Sequence, residues 1–275
     1  MEVCDMKFQV NHDLHCHSTL SSCCGDKNQT IQAIYDRAVR QGLETQCITD
    51  HLWDNAVPEP SKWYAPQDID HVKQGKAELE AILAERSGGP RMVFGCETEY
   101  CGGGKLGLSR GNFDEFDFVI IPPNHFHMTN FTRDEKINTE EAIAELFVQR
   151  LEELTELDLP WEKVGIAHLN CSLVFREGDP CKVYAIMDEE RLKKVFTFLA
   201  ARGAGIEINT SCFGAGWREQ EEEQLRLFKI ARDCGCKFYI GSDAHSLKGM
   251  ENMMEVAREV VDLLELTEEQ RYLIP

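Results

Sequence analysis

Short runs rich in β-branched residues, each closing on a polar cluster and followed by a longer amphipathic stretch, alternate along the whole chain. Strands joined by helix-length connections pair in parallel, whereas antiparallel neighbours need only a tight turn, so this alternation constrains the fold to an α/β arrangement. The strand candidates are Phe8 to His17, Thr45 to His51, Met92 to Tyr100, Phe116 to Pro122, Lys163 to Leu169, Gly205 to Thr210 and Lys237 to His245. Between them lie helix candidates at Thr30 to Gln41, Asp68 to Arg86, Thr139 to Thr155, Asp188 to Arg202 and Arg218 to Cys234, with another at Glu251 to Leu264. Gly42, Gly203 and Gly235 read as helix stops, Asn138-Thr-Glu-Glu141 has the spacing of a capping box, and Ile31, Ile34, Tyr35 and Ala38 form one apolar stripe. Trp53 to Gln67 and Gly102 to Asn112 read as long loops at the strand ends where α/β barrels place their chemistry.

A chain of 275 residues with 43% hydrophobic content can bury one large core, and the motifs favour a single domain over 1–275. No apolar run approaches the length of a membrane span, and the start, MEVCDMKFQV, lacks the apolar core of a secretory signal, so a cytoplasmic location is expected. The twelve cysteines are spread through a long periodic sequence and are expected to be reduced. Cys23-Cys24 are adjacent and one residue separates Cys234 from Cys236, so the spacing of a zinc knuckle is missing. A net charge of −19 with scattered Lys and Arg argues against extended nucleic-acid binding. Bound divalent cations would offset part of that charge locally.

The strand candidates share one property: nearly all end in a metal-binding residue type. His15 and His17 end the first, His51 the second and Glu97 the third; His125 follows the fourth, His168 ends the fifth, and Asp243 with His245 ends the last. Residues two apart on a strand point to one face, so His15 and His17 can share an ion, as can Asp243 and His245. A closed parallel barrel brings all of them to one rim. Imidazole mixed with carboxylate suits zinc, manganese or iron, and a carboxylate such as Glu97 can bridge two ions about 4 Å apart.

The motifs Asp13-Leu-His15-Cys-His17-Ser, Ile48-Thr-Asp50-His51, Gly95-Cys-Glu97, Asn124-His125-Phe, Gly165-Ile-Ala-His168, Ile206-Glu-Ile-Asn209-Thr-Ser and Gly241-Ser-Asp243-Ala-His245 resemble, in order, those of the PHP family, the polymerase and histidinol phosphatase metallohydrolases. The resemblance covers nearly the whole chain and is closest to the stand-alone histidinol-phosphatase-like branch. It implies a distorted (β/α)7 barrel with two or three divalent ions. One ion would be held by His15, His17, Glu97 and Asp243, and a second by Glu97, His125 and His168. A third would use His51, His245 and the position of Cys23, where family members usually carry His or Asp. The chain departs from the pattern after His168, where it reads Leu-Asn170-Cys, and after Asn209, where it reads Thr-Ser-Cys-Phe-Gly.

The expected activity is hydrolysis of a small metabolite's phosphate monoester by a metal-bridging hydroxide, with histidinol phosphate as the reference substrate. The alternatives are a nucleotide phosphodiester, an amide or lactone, and a non-enzymatic metal-stabilised domain. Asp243, His245 and Asp50 are expected to carry the reaction, the last two as candidate proton donors. Arg176, Arg218 and Arg110, with Lys105, are candidates for the phosphate clamp, and His127 for the pocket wall. Asp13 is expected to orient a ligand histidine; Glu207 and Asn209 would do the same or cap their strand. Trp53, Trp63 and Tyr64 would form a lid or pack the rim, and His12 and His71 are expected at the surface.

Overall fold

The structure, a computed structural model, describes residues 6–275. Seven parallel strands follow one another round a barrel: β1 (His12–Asp13), β2 (Thr45–Ile48), β3 (Arg91–Thr98), β4 (Phe118–Ile121), β5 (Val164–Ile166), β6 (Gly205–Asn209) and β7 (Lys237–Gly241). A further segment, His51–Leu52, pairs with β3 in the register His51 to Glu97. The seam between β1 and β7 is closed outside the regular ladder. Leu14 N–H donates to Ile240 O at 2.8 Å, Asp243 N–H to His15 O at 2.7 Å and His17 N–H to Ala244 O at 3.1 Å. Asp13 staples the same seam, its carboxylate accepting from Ser242 N–H at 2.9 Å and Ser242 Oγ at 2.7 Å. The result is a distorted, nearly closed barrel of the TIM type.

Alternation along the strands sorts residues into two layers. Inward, Leu14, Cys47, Val93, Phe118, Ile120 and Tyr239 fill the barrel, which Tyr272 and Ile274 of the C-terminal segment plug. Outward, Val119, Ile121, Ile166, Ile206, Ile208 and Ile240 pack against the helices. Toward the C-terminal rim the inward positions turn small. A Cβ at Gly165 would strike the Phe118 and Tyr239 rings, and one at Gly241 would strike Glu207. Those glycines leave room for the side chains that matter.

The surrounding helices are α1 (Ile31–Gln41), α2 (Ile69–Ala84), α3 (Glu140–Thr155), α4 (Pro180–Ile186), α5 (Glu189–Arg202), α6 (Glu221–Asp233) and α7 (Met253–Leu263). Thr30, Asp68 and Asp188 cap α1, α2 and α5, and Gly42 and Gly203 end α1 and α5 in the left-handed conformation. Three expectations change. The cap of α3 is Thr139, not Asn138, so Glu141 does not sit at the third helical position and the capping box is absent. The α4 helix was not foreseen, although Asp179 caps it and Pro180 occupies its first turn, the usual start signal. Within the expected loop at Gly102 to Asn112, Tyr100–Gly102 and Lys105–Leu106 form a small antiparallel hairpin. The strands are also shorter than the sequence suggested, because the backbone turns out of the ladder just where the polar side chains begin.

His12 is not at the surface: it is buried, and its Nε2 accepts the Ile240 amide at 3.0 Å. His71 is half-buried and donates to the Leu20 carbonyl at 2.9 Å. Burial first, then nearby Arg271, pull the His12 pKa from 6.5 to about 3. As pH falls through that window the unfolded chain takes up a proton that the folded chain refuses, so stability is lost, by about 2 kcal/mol at pH 5. A His12→Gln variant keeps an acceptor but cannot titrate. Urea unfolding at pH 7.5 and pH 5.0 should show it losing about 2 kcal/mol less than the parent over that interval; equal losses would remove His12 as the cause.

Candidate metal centre

The side chains that end the strands meet. His15 and His17 Nε2 are 3.1 Å apart, and each lies 3.3–3.4 Å from Glu97 Oε2. Asp243 Oδ1 lies 3.1 Å from His17 Nε2 and 3.5 Å from His15 Nε2, while its Oδ2 lies 3.4 Å from His168 Nε2. His51 Nδ1 is 3.0 Å from Glu97 Oε2, and His168 Nε2 is 3.6 Å from Glu97 Oε1. Bonds of about 2.0–2.1 Å to one tetrahedral ion set neighbouring ligand atoms roughly 3.3–3.4 Å apart, close to these spacings.

Whether the residues fit a cation is decided by Glu97. It is fully buried, and neither carboxylate oxygen has a hydrogen-bond partner. His168 lacks a partner at both ring nitrogens, and His51 lacks one at Nδ1. A buried carboxylate without compensation costs several kcal/mol, and the groups facing Glu97 are imidazoles whose lone pairs suit a metal. Burial alone would raise Glu97, but His51 and His15 outweigh it and hold it well below the usual carboxylate range. Burial would lower His15, yet Glu207, Asp243 and Glu97 hold it well above its ordinary value. The cluster therefore favours positive charge at its centre, and the donor set fits divalent metal ions.

Three groups of donor atoms fall within 4.8 Å: His15, His17 and Asp243; His15, Glu97 and His168; and His17, Cys23, His51 and His245. Cys23 thus stands with His51 and His245, at the exposed rim. His125 stays outside these groups, with its ring stacked on His168 at 4.7 Å between centroids.

Neighbours fix which nitrogen each ring offers. His15 Nδ1 donates to Glu207 Oε1 at 2.6 Å, leaving Nε2 for the centre. Glu207 Oε2 accepts from His168 N–H at 3.0 Å and from Asn209 Nδ2 at 3.2 Å; Asn209 also reaches Asp243 Oδ2 at 3.2 Å. Ser21 Oγ donates to Asp50 Oδ1 at 2.6 Å, so it accepts from His17 Nδ1 at 3.0 Å and from His51 N–H at 3.0 Å. His245 Nδ1 donates to the Asp243 carbonyl at 2.8 Å. His168 and Asp243 adopt left-handed backbone angles, φ +58° and +50°. Such angles cost about 1–3 kcal/mol at non-glycine residues and persist where surrounding structure enforces them.

Several expectations are corrected by position. Asp50 is buried beneath the site and occupied by Ser18 N–H, Ser18 Oγ and Ser21 Oγ, so it supports His17 and cannot reach a leaving group. Asp13 touches no imidazole; it holds the backbone seam. Arg218 pairs with Glu221 at 2.9 Å and Glu259 at 3.5 Å on the outer surface. Arg110 lies over Phe113 and lines a separate groove, and Lys105 is engaged with Glu59. Arg176 and His127 do line the cavity of about 880 Å³ above the cluster. Trp53 and Tyr64 are both buried in the rim, Tyr64 backing the cavity wall, whereas Trp63 is exposed at the cavity. Glu99 was missed: it accepts from His125 Nδ1 at 2.9 Å and Tyr64 Oη at 3.1 Å. The two-residue spacing that linked His15 to His17 also links Glu97 to Glu99, and would have found it.

A parallel barrel that gathers imidazoles and carboxylates at one rim, around a buried carboxylate no hydrogen bond satisfies, defines the class of barrel metallohydrolases. This chain belongs to the PHP domain family, which matches residues 13–211. It is similar to a probable phosphatase of Thermoanaerobacter sp., at 27% identity over 237 residues, covering 85% of this chain and 78% of that one. It is also similar to a probable histidinol-phosphatase of Schizosaccharomyces pombe, at 19% identity over 265 residues, covering 91% and 86%. In fold it resembles the histidinol phosphate phosphatase of Lactococcus lactis, solved with zinc, L-histidinol and phosphate, with a TM-score of 0.65 at 17% identity over 95% of this chain and 98% of that one. No helix among the described residues is long and apolar enough to cross a membrane.

Glu207 and Glu99 touch ring nitrogens on the far side from the cluster, so their loss should act on metal affinity. Glu207→Ala and Glu99→Ala should each weaken metal binding by about 10–100-fold in competition with a chromogenic chelator. Parental affinity in both variants would show that these carboxylates do not set the ligands.

Proposed function

We propose that this protein is a metal-dependent phosphatase acting on the phosphate monoester of a small metabolite. The observation that carries the reading is the buried, unpaired Glu97 facing four imidazoles beneath a cavity lined by the guanidinium of Arg176. The names and contents of the similar proteins support it: two are described as phosphatases, and one was solved with zinc and phosphate. Histidinol phosphate is the reference substrate by that resemblance.

His15, His17, Glu97, His168 and Asp243 would hold ions at the centre; His51, His245 and Cys23 would hold one at the rim, and His125 would join from the side of His168. Bound there, divalent cations supply a water of lowered pKa as nucleophile and draw off charge from the phosphoryl oxygens. Hydrolysis would place a water oxygen on phosphorus, break the ester P–O bond and leave the alcohol with a proton. Arg176 lines the same cavity as the cluster, and among the described residues no carboxylate is paired to it, so its planar fork is available for two phosphate oxygens. Burial first, then His17, bring His245 down to about 4. Its Nε2 therefore carries a lone pair at neutral pH, which suits a ligand or proton acceptor better than the donor first expected.

His17→Ala and Asp243→Ala should each abolish turnover and lower bound metal, read together by phosphate release and metal analysis. Arg176→Ala should cut kcat/KM by about 10²-fold with metal content unchanged, whereas Arg218→Ala should stay within about twofold of the parent. Full activity with full metal in the first two variants would defeat the reading.

A further inference from the structure

The cavity above the cluster has a wall that the chemistry of phosphate does not explain. Trp63 and Tyr64 meet edge to face at 4.7 Å, and Tyr64 continues to Phe131 at 6.1 Å, so three rings form one aromatic side. Met128 and Leu173 line the same space. Tyr64 is fully buried, with its hydroxyl bonded to Glu99, and backs the wall behind Trp63 and Phe131. These residues come from three separate rim loops, after β2, β4 and β5.

The charges in the cavity are one-sided. Among the described residues its only carboxylates are Glu97 and Asp243, both committed to the cluster. Arg176 and Lys62 line it as cations, and the Lys105 ammonium already lies 5.9 Å from the Phe131 centroid. A substrate ammonium entering here would find no free carboxylate and two like charges. An uncharged apolar group would instead displace water from the ring wall.

Resting on the phosphatase reading above, we infer that this site selects phosphomonoesters of uncharged, apolar or aromatic alcohols and discriminates against amino alcohols. L-Histidinol, whose amine is protonated at neutral pH, belongs to the disfavoured class. Trp63 is the specificity-determining residue, since it forms the outer end of the wall and is 37% exposed in the cavity mouth.

The test compares 2-phenylethyl phosphate, 2-aminoethyl phosphate and histidinol phosphate on the metal-loaded full chain. All have alkyl leaving groups, and an ammonium near the oxygen makes the better one, so intrinsic reactivity works against the expected order. The phenylethyl ester should be favoured at least tenfold in kcat/KM over both amino esters. Trp63 also packs edge to face on His51 at 4.9 Å, so Trp63→Ala is read as the ratio between esters, most of which it should erase, with bound metal measured beside it. Met128→Glu should raise kcat/KM for the amino esters at least fivefold relative to the phenylethyl ester. Equal or better turnover of the amino esters by the parent protein overturns the specificity and leaves the phosphatase reading standing. Hydrolysis of none of the three, nor of any other phosphomonoester, overturns that reading and the specificity with it.

Discussion

A carboxylate placed out of water with no donor to bind it is the constraint on which this structure turns. Glu97 sits at the end of β3 with zero exposure and both oxygens unpaired, which folding alone would not tolerate without positive charge beside it. The chain supplies that charge in two forms. Without a cation, burial alone would lower His15 and His17, but the carboxylates around them outweigh it and raise both imidazoles above their ordinary range, which favours their protonated forms beside Glu97. With one, the same nitrogens would serve as ligands, which would couple metal binding to proton release.

Around that centre the barrel divides its labour by height. The lower interior is filled by Phe118, Ile120, Tyr239 and Tyr272 and contributes apolar burial. The upper interior carries small residues, so that Glu207 can reach His15 and Asn209 can reach Asp243. Each orienting contact crosses between strands: Glu207 comes from β6 to a ring beyond β1, and Asp50 comes from beyond β2 to the Ser21 that holds His17. Barrel closure is therefore a condition for ligand geometry. Asp13, which seemed to belong to the site, serves that closure instead.

The sequence made the centre legible because metal ligation leaves a discrete mark. Residue type, strand-end position and two-residue spacing placed His15, His17, His51, Glu97, His168, Asp243 and His245 at one rim, and the structure brings them there. Long-range partners left no such mark. That Ser21 links Asp50 to His17 depends on a contact across 29 residues, and that Asp13 binds Ser242 depends on a seam across 229. The arginines misled for a related reason: Arg218 and Arg110 follow strands, but Glu221, Glu259 and Phe113 lie close enough to hold them outside the cavity. His12 looked like a surface residue because a polar type at a strand start usually is; its buried bond to Ile240 becomes visible only when the barrel closes.

Catalytic and selective functions consequently rest on different parts of the fold. The cluster proposed to bind metal is anchored at strand ends and wired together by buried hydrogen bonds, so little can move there without displacing a donor atom. The cavity wall is built from Trp63, Met128, Phe131 and Leu173 on rim loops, whose side chains face space and not one another's hydrogen bonds. Substitution at Met128, Phe131 or Leu173 changes what fits above the cluster, whereas Trp63 also packs edge to face on His51 at 4.9 Å and so joins the wall to the rim imidazoles. A chain can then keep the chemistry of its family and differ in its substrate, and the aromatic, carboxylate-poor wall is where this one differs from a site suited to an amine.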